Sequence, residues 1–216
     1  MAITLPEAGR LLAGNTLDAD VAFQVLASIA HHGAFEDRNE ARHLLIRVLD
    51  RREEIATSLQ NMLYALVRQH GLFPYMRDVV DLSVADRLAF EVHRPYPALS
   101  DDVVFHSQQA IVYERLLAGE NVVLSAPTSF GKSLVIDAVL AARGFHNAAV
   151  VVPTIALMDE CRRRLARLNN AYKIITHGTQ RPADRNLYVM TQERLLEMRD
   201  LPPLDFFAID EFYKLV

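Results

Sequence analysis

A single cysteine, Cys161, stands in the 216 residues of this chain. No intrachain disulfide can form, which suits a reducing compartment. No uninterrupted apolar segment approaches the roughly 20 residues a membrane-spanning helix needs. The opening Met1-Ala-Ile-Thr-Leu-Pro lacks the basic stretch and apolar run of a secretory signal. The expectation is a soluble, cytoplasmic protein without a membrane partner. Net charge is −4, so no global basic field advertises nucleic-acid binding. Lysine is scarce: of 23 basic residues only Lys132, Lys173 and Lys214 are lysines. The eight histidines show no metal-ligand spacing, and one cysteine does not make a zinc site. No Ser-His-Asp or Cys-His arrangement is legible.

What is present is a chain that is 51% hydrophobic, enough to bury a sizeable core. Two regions differ in rhythm. Residues 1–95 read as successive helices. Val21, Val25, Leu26 and Ile29 recur at helical spacing, and Gly33 follows the last turn. Residues 38–70 carry on the pattern as two helices broken near Asp50, and residues 83–92 form a shorter one. The prolines of His93-Arg94-Pro95-Tyr96-Pro97 mark a linker. From about residue 103 apolar strands alternate with helices. Strands are expected at 122–125, 148–152, 173–176, 187–190 and 206–210, and helices near 107–118, 132–142, 155–168 and 192–199. Such alternation means a parallel sheet covered on both faces. The fold class is therefore α/β, with a helical N-terminal region (1–95) ahead of a P-loop domain (96–216).

The strongest motif is Ser125-Ala126-Pro127-Thr128-Ser129-Phe130-Gly131-Lys132-Ser133, between an expected strand and a helix. Backbone N–H groups of such a loop cradle phosphates, and the helix N-terminus adds partial positive charge. Lys132 suits the β/γ-phosphates, and the Ser133 hydroxyl suits Mg²⁺. Ala126 stands where the bare P-loop pattern has glycine. A random Gly-Lys-Ser/Thr is expected only about 0.01 times in this composition.

These residues resemble motif I of superfamily 2 DEAD/DEAH-like helicases, in a form that leans toward the Ski2-like branch. Three further segments follow in the family's order. Gln109, ten residues before Gly119, resembles the upstream glutamine that reads adenine, with Gln108 an alternative by one position. Pro153-Thr154 resembles motif Ia; taken by itself it is equally a helix start. Ile209-Asp210-Glu211-Phe212-Tyr213 resembles motif II, where Asp210 would hold Mg²⁺ and Glu211 would activate the attacking water. Tyr213 departs from the family's Asp or His. Gly178, in His177-Gly178-Thr179, and Thr191, ahead of Gln192-Glu193-Arg194, complete the set; Thr191 also reads as a helix cap. By resemblance, Gln109, Ala126, Thr128, Ser129, Gly131, Lys132 and Ser133 bind ATP. Ser133 and Asp210 take Mg²⁺, and Lys132, Asp210 and Glu211 catalyse. Pro153, Thr154, Gly178 and Thr191 face DNA or RNA. The helical region ahead of the lobe is similar to that of bacterial antiphage-defence helicases of the Hachiman type, which implies a protein partner such as a nuclease subunit.

The resemblance implies an incomplete RecA-like lobe, ending six residues after Asp210, and an ATP-dependent helicase or translocase that needs a second lobe for efficient turnover. The alternative is a nucleotide- and nucleic-acid-binding, partner-docking module without turnover of its own. Arg162, Arg163, Arg164 and Arg167 read either as a solvated helix face or as a contact to a nucleic-acid backbone.

Overall fold

A computed structural model describes residues 3–33, 37–95, 99 and 102–212. It divides into two compact units, Met1–Pro95 with Ser100–Ala110, and Tyr96–Leu99 with Ile111–Val216. No helix among the described residues is long and apolar enough to cross a membrane.

The first unit is helical. Helix α1 (Leu5–Leu12) begins with a full capping box: the Thr4 hydroxyl accepts from the Glu7 N–H, and the Glu7 carboxylate accepts from the Thr4 N–H. Pro6 sits in its first turn, where a missing N–H costs nothing. Helix α2 (Ala19–His32) is capped by Asp18. Helices α3 (Arg38–Leu49) and α4 (Gln60–Gln69) follow, separated by two short 3₁₀ turns. This is the break near Asp50 that the sequence suggests. Helix α5 (Val84–Val92) is capped by Ser83. One continuous core, including Leu26, Ile29, Leu45, Leu63 and Met76, joins these helices. At about 25 cal/mol per Å² buried, such side chains contribute roughly 1.5–3 kcal/mol each.

Helix α6 (Ser107–Leu117) leads into the second unit, which continues with α7 (Lys132–Ala142), β1 (Asn147–Val152), α8 (Ile155–Leu165), β2 (Lys173–Ile175), β3 (Asn186–Thr191), α9 (Gln192–Leu196) and β4 (Phe206–Ile209). The strands form a parallel sheet in the order β2-β3-β1-β4. All six β3 residues are buried, as are five of the six in β1. That is why both read as unbroken apolar runs rather than alternating ones. One face packs Val150, Val152, Leu187 and Val189 with Leu140, Met158, Cys161 and Leu165 of α7 and α8. The other face collects Ala149, Ile175, Tyr188 and Met190.

The expected strand at 122–125 is overturned. Residues 121–127 join no ladder, and Val123 is 90% exposed. A β-branched run favours a strand but is not sufficient, because the strand exists only through pairing with a neighbour. Helix α9 is also shorter than the 192–199 the sequence suggests.

Candidate nucleotide and nucleic-acid site

In the order β2-β3-β1-β4 the chain leaves β1 toward one side of the sheet and returns to its other side as β4. Ligands of open parallel sheets bind at such a switch point, beyond the strands' C-terminal ends. The register pairs Val151 with Ile209, so the segments that follow, Pro153-Thr154 and Asp210-Glu211, leave the sheet side by side. The Asp210 N–H donates to the Val151 carbonyl at 2.9 Å.

Gly131 lies between a 3₁₀ turn (Thr128–Phe130) and the first turn of α7, at φ 78° and ψ 36°. That left-handed conformation costs an L-residue roughly 1–2 kcal/mol and glycine little. Ala126 is not among the positive-φ residues, so its Cβ is accommodated without strain at the position where the bare motif has glycine. The loop uses its carbonyl instead. The Lys132 ammonium donates to the Ala126 oxygen at 2.8 Å and the Pro127 oxygen at 3.0 Å. A phosphate at this loop would compete with two neutral carbonyls for Lys132, and a charged acceptor wins such a contest. Ser129 is exposed and Ser133 half-buried.

The Ser133 hydroxyl lies 3.4 Å from Asp210 Oδ2, across 77 residues of sequence. A hydroxyl and a carboxylate oxygen this close form an oxygen-donor pair of the kind Mg²⁺ takes. The residues fit Mg²⁺ on that ground, and ATP on the combination of Gly131, Lys132 and the N-terminus of α7. Glu211 has φ 55°, the only positive φ at a non-glycine among the described residues. Strain of this kind, about 1–3 kcal/mol, gathers at functional sites. Tyr213 lies outside the described residues.

The candidate nucleic-acid residues share this edge. Thr154 caps α8, its hydroxyl accepting from the Leu157 N–H at 3.2 Å. Thr191 caps α9, accepting from Arg194 at 3.5 Å. Both are caps, and Thr154 is exposed while Thr191 is 4% exposed. Pro153 is half-buried in the bend between β1 and α8. At Gly178 an added Cβ would meet only Met198 at 3.5 Å, an ordinary contact. Nothing in the backbone demands glycine there. The adjoining turn is tied by Gln180, whose Oε1 accepts from the Thr176 and His177 N–H groups.

Gln109 falls in the first unit. It is 5% exposed, and its Oε1 accepts from the His106 N–H at 3.1 Å. The neighbouring Gln108 is exposed.

Two features escaped the sequence reading. Arg194 donates through Nη1 to the Thr176 carbonyl at 3.0 Å and touches Met158 Sδ at 3.5 Å, so it ties α9 to the loop after β2 and to α8. Asp137, on α7, has a fully buried side chain. Arg164 Nε donates to both its oxygens, at 3.2 and 3.0 Å, and Arg167 Nη2 donates to Oδ2. Burial pushes the Asp137 carboxyl above the ordinary aspartate range, while the two guanidiniums pull it back. Arg164 and Arg167 are therefore turned inward, and the basic face after β1 is not one solvated stripe. The signal for this was present: an aspartate inside Leu134-Val-Ile-Asp-Ala-Val-Leu140 must find cations once that helix is buried. Cys161, packed between these groups, has its thiol pushed up to about 11 by burial, Arg164 opposing and Asp137 and Asp210 adding.

Comparison with known proteins agrees with the geometry. Residues 4–87 match the family described as Anti-bacteriophage protein B N-terminal domain. The curated protein named Anti-bacteriophage protein B, from Escherichia coli strain K12, is 46% identical over 180 residues, an alignment covering 81% of this chain and 24% of that protein. The chain thus spans about a quarter of the length of the curated relative it matches. No solved structure matches it significantly. Residues 106–215 match the family described as DEAD/DEAH box helicase. That stretch is half of the chain and holds the phosphate loop, the sheet and the Asp210-Glu211 pair, and the chain belongs to the DEAD/DEAH box helicase family.

Proposed function

We propose that the chain is the N-terminal portion, with the ATP-binding lobe, of an ATP-dependent nucleic-acid helicase or translocase that acts in the cytoplasm in defence against bacteriophage. The observation that carries the reading is the approach of Ser133 to Asp210 at 3.4 Å, beside a glycine-hinged helix start that presents Lys132. Lys132 binds and neutralises the β/γ-phosphates of ATP. Ser133 and Asp210 hold the metal, with the hydroxyl and the carboxylate as oxygen ligands. Bound Mg²⁺ offsets negative charge on the phosphate oxygens. Glu211 orients the attacking water and accepts its proton. Thr154 and Thr191, with the backbone N–H groups at the starts of α8 and α9, contact the sugar-phosphate backbone of DNA or RNA, as helix starts suit phosphates. Pro153, after β1, and Gly178, in the loop after β2, contact the same backbone.

The defence role rests on the name of the E. coli relative and on the match of residues 4–87. The helical region docks a protein partner, such as a nuclease subunit. Supporting this, Val84, Leu88 and Val92 line one face of α5 at 87%, 65% and 64% exposure, an apolar stripe at i, i+4, i+8 of the kind that meets another protein.

The test is equilibrium binding of a fluorescent ATP analogue with Mg²⁺. Lys132→Ala should weaken binding by tenfold or more, about 1.4 kcal/mol. Asp210→Asn should remove the Mg²⁺ dependence. Unchanged affinity in Lys132→Ala would sink the nucleotide-site reading.

A further inference from the structure

Among the described residues, Asp137 ties α7, which starts at the phosphate loop, to α8, which starts at Thr154, without belonging to either loop. It lies five residues after Lys132 on α7, about 7.5 Å along the helix axis at 1.5 Å per residue. Arg164 lies ten residues after Thr154 on α8, about 15 Å along that helix. The carboxylate is wholly inaccessible, and the Arg164 and Arg167 side chains are 29% and 37% exposed. The pairing is three-armed: both oxygens take Arg164 Nε, and Oδ2 also takes Arg167. Cys161, Leu165 and Met158 of α8 pack beside it against Leu140 and β1. If α7 shifts or rotates, α8 must follow or leave a buried carboxylate without cations.

We infer that Asp137, through Arg164 and Arg167, is a positioning residue that transmits occupancy of the phosphate loop to the start of α8, where Thr154 faces nucleic acid. This rests on the nucleotide-binding reading above. The stroke begins at Lys132, which must leave the Ala126 and Pro127 carbonyls to meet phosphate and so alters the first turn of α7. Helices joined by a directional charge pair carry such a change further than apolar packing alone, because the buried Asp137 carboxylate is costly to leave without its cations.

The experiment is amide hydrogen exchange on the 216-residue chain, with and without Mg²⁺ and a non-hydrolysable ATP analogue. In the parent chain the analogue should slow exchange at Leu157 and Met158, the first capped amides of α8, by at least about fivefold, the lower end of ordinary coupling between sites. Asp137→Asn should bind the analogue within about twofold of the parent but lose that slowing, and Asp137→Glu should restore part of it. A merely structural role would raise exchange of Asp137→Asn equally with and without the analogue, and that outcome overturns the inference. So does binding by the parent chain with no change at α8. If the parent chain binds no analogue, the nucleotide site itself is wrong and the inference goes with it. Should Asp137→Asn fail to fold, Arg167→Gln, which removes the more exposed arm, should show a partial loss of the slowing; full retention there also overturns the proposal.

Discussion

Replacing both Arg164 and Arg167 by glutamine strips Asp137 of its cations while keeping most of the side-chain volume. The carboxylate is fully buried, so it must either stay ionised and unpaired or take up a proton. Leaving one partner of a buried pair uncompensated costs about 3–5 kcal/mol. Protonation sets a ceiling: taking a group of ordinary pKa 3.8 to its neutral form at pH 7 costs about 1.36 × 3.2, or roughly 4.4 kcal/mol. At pH 5 the same route costs only about 1.6 kcal/mol. In the double variant the folded-state pKa is raised further above the unfolded value. The deficit is therefore absent below the unfolded pKa and grows as pH rises toward the folded one. Relative to the parent chain at each pH, the loss should increase by up to about 2.7 kcal/mol between pH 5 and pH 7. Each single variant retains one cation and should lose less than half as much, so the pair is non-additive. The assay is the opening free energy of β1 and α7 amides from hydrogen exchange across this pH range. A loss of the same size at pH 5 and pH 7 would refute the argument, since it would show that the arginine stems, not their charges, hold the two helices.

Four other outcomes follow from the geometry. Gly71 has φ 67°, and an added Cβ would lie 2.0 Å from Ser107 Oγ. Gly71→Ala should therefore destabilise the first unit by more than the roughly 1–2 kcal/mol of left-handed strain, measurable by urea unfolding. Cys161, with its thiol pushed up to about 11, is thiolate on the order of 10⁻³ at pH 8, so a thiol reagent should label the folded chain far more slowly than the unfolded one. Thr154→Ala should cost about 1 kcal/mol through loss of the α8 cap and raise exchange at Leu157; Thr154→Ser should restore both. Gly131→Ala should weaken binding of the ATP analogue and lower stability by about 1–2 kcal/mol, whereas Ala126→Gly should leave binding within about twofold, since Ala126 has no left-handed backbone.

The α/β alternation and the motif order were legible because they are local. Helix α7 begins and ends where the residues place it, since Gly131 and the apolar run to Ala142 set both limits. Strands β1, β3 and β4 follow from apolar runs between helical stretches. Helix α1 was legible in principle from Thr4-x-x-Glu7 with Pro6, a capping box in eight residues, but its short apolar face offers too few repeats to reveal a period. The failure at 122–125 has the opposite cause. The composition is right, and the missing quantity is a ladder partner, which no local pattern contains. The same limit hid the Asp137 clamp. Two arginines on an exposed-looking helix cannot be told from a solvated face until the burial of an aspartate 27 and 30 residues earlier is known.

The non-sequential sheet order has a consequence for synthesis. Strand β1 ends at Val152, but its two neighbours begin only at Asn186 and Phe206. At roughly 5–20 residues per second, β4 leaves the ribosome about 3–12 s after β1. Until β3 has emerged the run Ala148-Ala-Val-Val-Val152 has neither of its ladders, and from then until β4 emerges it has only one; apolar β-branched segments in that state are prone to pair with the wrong chain. Slow translation between residues 152 and 206 should therefore lower the yield of soluble chain, and a chaperone that holds β1 during that window should recover it.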